Sequence, residues 1–289
     1  MTIPSSERGA AADQQPVVLA VGAHPDDVEI NCAGTLKALQ DLGCTIHVAT
    51  MTLGDCGSMQ LPPDEISRIR RAEAKDACRI LGARYHYVGS QDFCIFSDDV
   101  HNRRSTALLR EIAPQIVFTH SPGDYMLDHD NTSVLVRNAC FYAPAPNYDC
   151  SRFGPAPALS AIPHLYYWDV MEGKDVFGKR VAPGFYVDIS SEMELKSRML
   201  AAHSSQREWL RAQHGMDEYL DTMRGWAAAR GREASAITGP PASSGGKRGS
   251  AERTIAHAEA FRQHLGHAYP QDNILAALLP SRVVGNPDY

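Results

Sequence analysis

The chain has 289 residues, 44% of them hydrophobic and 21% charged, enough to bury the core of one large domain. Its formal net charge is −6 and its lysines and arginines are dispersed, which argues against nucleic-acid and membrane-surface partners and favours a small neutral or polar substrate. No run reaches the roughly 18 apolar residues of a membrane span, and residues 1–16 lack the apolar segment of a secretion signal, so a cytoplasmic location is expected. Seven cysteines show no CxxC spacing and read as reduced core residues rather than disulfides or a thiolate zinc site. Cys56, in a glycine-bounded loop, is the exception.

Residues 1–16 read as a flexible tail, and from Val17 strands and helices alternate. VVLAVGA is an apolar strand, GTLKALQDLG a helix closed by Gly43, TIHVATMT a second strand, and ISRIRRAEAKDACRILG a helix closed by Gly82. YHYVG is a candidate third strand, DDVHNRRSTALLREIAP has helical periodicity, QIVFTH is a further strand, and HDNTSVLVRNACFYA is a helix that Asp130, Asn131 or Thr132 would cap. HLYYWDV and FYVDIS read as later strands, and SEMELKSRMLAAHSSQREWLRAQ as one long helix capped by Ser191. Residues 17–289 then form a single α/β domain, a Rossmann-like, mainly parallel sheet flanked by helices, with breaker-rich loops at 144–164 and 238–250.

In such sheets ligands gather at the carboxyl ends of the strands, and the chemically loaded loops fall there. His24 and Asp27 of HPDD follow the first strand at a spacing that can serve one metal ion. Asp26, Asp27 and Glu29 also suit a helix N-terminus, so spacing alone leaves both readings open. HSPGDYMLDH, His120 to His129, adds two histidines and two acids after a later strand. One histidine from it would complete a His, Asp, His set with an open position for water.

These residues resemble the PIG-L/LmbE family of zinc-dependent N-deacetylases. AHPDDxE followed by GTL is met by Ala23 to Asp27, Glu29 and Gly34 to Leu36; TxGDxG by Thr52, Gly54, Asp55 and Gly57. RxxExxxAxxxLG is met by Arg70, Glu73, Ala77, Leu81 and Gly82, and the DH loop by Asp128 and His129. VDI at 187–189, Ala202, His203, Ser205 and Gln206 of AHxSQ, and AEAFR at 258–262 extend the likeness from about residue 17 to about 265.

The resemblance implies removal of an N-acetyl group from an N-acetylglucosamine-type small molecule, with His24, Asp27 and His129 as zinc ligands and Asp26 as general base. Zinc would lower the pKa of a bound water, the nucleophile, to roughly 7, while a carboxylate off the metal moves protons. Zinc is favoured over Fe2+, the alternative metal, by affinity order. Asp128 either orients an imidazole or caps the helix, and Arg70 is a candidate substrate-hydroxyl contact or an ordinary exposed arginine.

One departure stands out. Many family members carry HPDH where this chain has Met126-Leu127-Asp128-His129, and methionine cannot donate a hydrogen bond to an oxyanion. Tyr125 is the candidate substitute; packing the loop is its other reading. His203 reads as a packed, capping or catalytic histidine on the long helix. The rival functions are a metal-dependent hydrolase of another ester or amide, such as a two-metal phosphoesterase, and an inactive α/β binding module. The sequence leaves the substrate's aglycone and a homo-oligomer open.

Overall fold

The computed structural model describes residues 15–207, 218–238, 254–287 and 289. Most of the expected N-terminal tail, and residues 239–250 of the second breaker-rich loop, lie outside them.

Five parallel strands form the centre of the sheet: β1 (Val17–Gly22), β2 (Thr45–Thr50), β3 (Arg84–Tyr87), β4 (Ile116–Thr119) and β5 (His164–Trp168). β6 (Phe185–Asp188), β7 (Ala258–Gln263) and β8 (Val283–Gly285) extend it to eight strands in the order β3-β2-β1-β4-β5-β7-β6-β8, with β7 antiparallel to β5 and β6. The order reverses at β1, so the loops after β1 and β4 diverge from one point and leave a crevice at the strand ends.

Alternation along each strand sends side chains to two cores. Val18 and Ala20 join Ile46, Val48, Phe118 and Val187 on one face, while Leu19 and Val21 join Ala49, Val117 and Leu165 on the other. The first face is covered by α2 (Ala33–Asp41), α3 (Pro63–Leu81), α6 (Met193–Ala201) and α7 (Glu218–Thr238); the second by α4 (Asp99–Ile112) and α5 (Leu127–Tyr142). The short α1 (Asp27–Asn31) follows β1, and α8 (Ile274–Leu278) precedes β8. α3 begins with Pro63 at its first position and ends at Gly82 with φ 77°, a left-handed stop that glycine adopts without a Cβ clash.

Two expectations are corrected, and one strand, β7, was not foreseen. α5 starts at Leu127 with Met126 as its cap, because the Asp130 carboxylate accepts from Gly123 N and Asp124 N and pins the preceding loop instead. α6 ends at Ala201 with Glu192, not Ser191, as its cap. There the chain turns at His203, and the next turn begins against Glu73, which accepts from Ser204 Oγ, Ser205 N and Ser205 Oγ at 2.7–2.8 Å. β7 has no apolar alternation because Glu259, inside it, is buried for another purpose: it accepts from Gly34 N and Thr35 N at the start of α2 and pairs with the buried Lys196.

Candidate active site

β1 ends in a turn that the sequence forces into strain. Asp26 caps α1 with φ 108° and ψ −24°, a left-handed conformation that costs a non-glycine residue on the order of 1–3 kcal/mol. The turn is braced from two sides. Arg70 of α3 donates to Pro25 O at 2.8 Å and lies 3.5 Å from the Asp26 carboxylate, while Tyr219 of α7 donates to Asp26 Oδ2. Arg70 is only 4% exposed, and a Cβ on Gly54 would fall 1.9 Å from its guanidinium. The arginine expected to meet substrate is thus packed beneath the loops, with two donors spent on Pro25 O and Gly54 O.

Strain at Asp26 turns Asp27 inward. Asp27 Oδ2 accepts from His24 N at 2.8 Å, closing the HPDD loop on itself. His24, Asp27 and His129 bring one ligand atom each to within 4.8 Å of one another, all three side chains being buried or nearly so. Each histidine also faces a second carboxylate. His24 Nε2 lies 3.2 Å from Asp128 Oδ2, leaving Nδ1 towards Asp27. His129 Nδ1 lies 3.5 Å from Asp124 Oδ2, leaving Nε2 3.5 Å from Asp27 Oδ1. A carboxylate behind each imidazole fixes its ring and raises its basicity, the arrangement metal-ligating histidines use.

The charge around this point is lopsided. Asp26, Asp27, Asp92, Asp124 and Asp128 converge on the crevice, with Arg70 beside Asp26. Burial works against a charge on His24, yet Asp128 and Asp27 outweigh it and push that imidazole up to about 10. Asp27 is held well below the usual carboxylate range: burial raises it, but His129 and His120 prevail. Asp26, by contrast, is raised, burial exceeding the opposing pull of Arg70. Two adjacent acids are thus driven apart, one kept ionised and one disposed to take a proton. Two imidazole nitrogens and a carboxylate oxygen, buried amid surplus negative charge, fit a divalent cation of the zinc or ferrous type.

His120, at the end of β4, was visible in the sequence but had no assigned place. Its ring stacks on His129 at 4.0 Å between centroids and meets Trp168 edge-on at 4.7 Å. Burial pushes it down to about 4, so it is neutral. Its Nε2 lies 3.0 Å from Ala23 N and 3.1 Å from Asp27 Oδ2, and a neutral ring can accept from the first or donate to the second. His120, Asp124 and His129 also form a second candidate ligand group, but it shares His129 with the first. His203 is fully buried 3.3 Å from Glu29, behind Asp26, and supports the turn from below.

Tyr125 sits at the rim, its ring edge-on to His129 at 5.3 Å. Partial enclosure and the carboxylates of Asp27 and Asp124 push its phenol up to about 12, so it stays a donor at neutral pH. Tyr219 and Asp124 were not singled out from the sequence; a phenol nearly 200 positions away carries no local signal. A half-open cavity of about 310 Å³ lies at the far end of α1, beside Ile30 and Asn31. Its charges are spent on one another, Arg230 pairing with Asp169 and Glu233, and Arg180 with Glu233.

Residues 19–140 match the PIG-L family, described as GlcNAc-PI de-N-acetylase. Diacetylchitobiose deacetylase of Thermococcus kodakarensis is 27% identical over 197 residues, 65% of this chain and 69% of that protein. The 1D-myo-inositol 2-acetamido-2-deoxy-alpha-D-glucopyranoside deacetylase of Mycolicibacterium smegmatis is 26% identical over 240 residues, 68% of this chain and 82% of that protein. Among solved structures, N,N'-diacetylchitobiose deacetylase from Pyrococcus horikoshii superposes with a TM-score of 0.68 at 23% identity, covering 91% of this chain and 89% of that one. The 4-carboxy-2-hydroxymuconate hydratase from Pseudomonas putida does so with 0.70 at 22% identity, covering 89% and 100%. The fold therefore serves more than one reaction that adds water, and the architecture expected from the sequence is the one observed. The HPDD turn lies within the stretch that matches the PIG-L family, and the fold is the one shared with a diacetylchitobiose deacetylase.

Proposed function

We propose that the chain is a metal-dependent hydrolase that removes the N-acetyl group from a small amino sugar of the N-acetylglucosamine type. The observation that carries this is the division of labour in one turn: Asp27 faces two carboxylate-backed histidines while Asp26, beside it, is raised and is held by Tyr219 and Arg70. The sequence relatives, deacetylases of chitobiose and of a glucosaminyl inositol, support an amino-sugar amide over the hydratase's substrate.

His24, Asp27 and His129 would hold the cation, with Asp128 and Asp124 orienting the two imidazoles. A bound divalent cation supplies Lewis-acid polarisation of the amide carbonyl and a lowered pKa for water. Asp26 takes one proton from the attacking water and returns it to the departing nitrogen, so that amide and water become amine and acetate. Arg70 and Tyr219 hold the Asp26 carboxylate in place. Tyr125, one residue before Met126, supplies the donor to the developing oxyanion. Zinc is the expected metal.

Primary-amine release from a panel of N-acetylglucosamine compounds, before and after chelation and with zinc restored, tests this reading. Release that disappears on chelation and returns with one zinc per chain supports it. Phosphate release from phosphoesters with two metals per chain would favour the phosphoesterase, for which the overlapping second ligand group is the structural basis.

A further inference from the structure

Around the ligand set stand three large side chains with exposed apolar surface, of which the deacetylase reading uses only the Tyr125 hydroxyl. Phe93, Tyr125 and Leu127 are 65%, 64% and 68% exposed. Phe93 and Tyr125 lie on two separate loops and Leu127 opens α5, yet each lies next to a group that touches the site. Phe93 N donates to Asp128 Oδ2 at 2.8 Å, the carboxylate oxygen that also meets His24. Leu127 immediately precedes Asp128, and the Tyr125 ring borders His129.

The exposure of Phe93 does not come from a loose loop. Ser90 N donates to Met51 O, Asp92 N to Asp55 Oδ1, Cys56 N to Asp92 Oδ2, and Asn131 Nδ2 to Ile95 O, at 2.7–2.9 Å. Within this clamp Phe93 takes φ 61°, a conformation uncommon for a bulky residue. Strain of this kind persists where surrounding bonds over-determine it, and it clusters at ligand clamps. The protein thus fixes a phenyl ring in solvent at the edge of its candidate metal site.

We infer that Phe93 and Leu127, with the ring of Tyr125, form an apolar rim that selects amino sugars carrying an alkyl or aryl aglycone. This rests on the deacetylase reading for the sugar, whereas the rim itself is a binding surface with its own readout. An apolar group leaving the sugar would cover the exposed side chains in the way substrate pockets are lined, apolar walls around a few convergent polar groups.

The test uses the zinc-loaded protein and the methyl, butyl and hexyl glycosides of N-acetylglucosamine, with methyl and hexyl β-glucosides, which have no amide, as binding probes followed by calorimetry. The expected gain in kcat/KM, and in affinity for the glucosides, is about two- to fourfold for each methylene in contact with the rim. Phe93→Asn, chosen because asparagine tolerates the left-handed backbone, and Leu127→Ser should each flatten both series. Thermal melts would verify that both variants fold. Chain-length-dependent binding that Phe93→Asn abolishes, without amine release from any glycoside, would keep the rim and remove the deacetylase reading. Amine release with equal kcat/KM for methyl and hexyl glycosides and equal affinities for the glucosides would overturn the rim and keep the deacetylase. Concentration-dependent dimerisation lost in Phe93→Asn, with no dependence on chain length, would overturn it in favour of a second copy of the chain.

Discussion

Replacing Asp128 by Asn isolates the carboxylate behind His24. Asp128 is buried, and a single oxygen, Oδ2, accepts from both His24 Nε2 at 3.2 Å and Phe93 N at 2.8 Å. Asparagine keeps the size and one acceptor but loses the charge. A hydrogen bond to a charged group is worth about 1.5–3 kcal/mol against about 0.5–1.5 for a neutral one, so roughly 1 kcal/mol is lost at each bond. At Phe93 that loss falls on a strained loop, and at His24 it falls on the basicity and aim of a ligand. Removing such a partner typically costs about 10- to 100-fold in metal affinity. Competition with a chromophoric zinc chelator should therefore show Asp128→Asn binding zinc about 10- to 100-fold more weakly than wild type, with one equivalent still bound at saturation. Asp124→Asn, acting on His129, should behave alike, and Asp98→Asn, on the remote cap of α4, should not differ from wild type. Affinities within twofold for all four proteins would refute the idea that these carboxylates prepare the ligands.

Other consequences follow from the same contacts. Gly54→Ala should lower Tm and turnover together, since its Cβ would strike Arg70 at φ 71°, whereas Gly123→Ala, at φ 81° with nothing within 4 Å, should cost only about 1–2 kcal/mol of backbone strain by chemical denaturation. Lys196→Met should destabilise by about 3 kcal/mol, because it leaves Glu259 charged and buried without its partner; a loss under 1 kcal/mol would contradict the assigned pairing. Burial pushes His47 down to about 4 and lowers His86, both from 6.5. Both are therefore neutral when folded, and their contribution to stability should hold above about pH 6.5 and fall towards pH 4 as the unfolded chain takes up protons; His47→Gln should lose less Tm than wild type over that interval. Tyr125→Phe should reduce turnover by about 100-fold or more if its hydroxyl serves the oxyanion, and an unchanged turnover number would remove Tyr125 from that role.

The parts of the fold that read clearly in the sequence were those with a single dominant period. The run from Val17 to Ala23 announces a buried strand, and HPDD after it announces a loaded turn, because nothing in the core explains a histidine there. β7 was missed because its buried members include Glu259, whose partners at residues 34, 35 and 196 are invisible from its neighbours. The break after α6 was missed because Glu73, over 130 positions earlier, supplies the acceptors that restart the chain at Ser204. The same reason divides the site. His24, Asp26, Asp27, Asp128 and His129 lie in short motifs, whereas Asp124, His120 and Tyr219 acquire meaning only through distances across the sheet edge. Arg70 lay in a motif, yet burial gives it a different task, since only the fold shows which face of α3 turns inward.

The most direct test of the account compares wild type with Asp26→Ala, both loaded with zinc, by counting acetate and primary amine released from N-acetylglucosamine glycosides. Wild type should release equimolar acetate and amine, and the variant should bind one zinc with unchanged affinity yet release neither. Equal release by both proteins would mean that Asp26 does not move the proton, and the division of roles between Asp26 and Asp27 would fall.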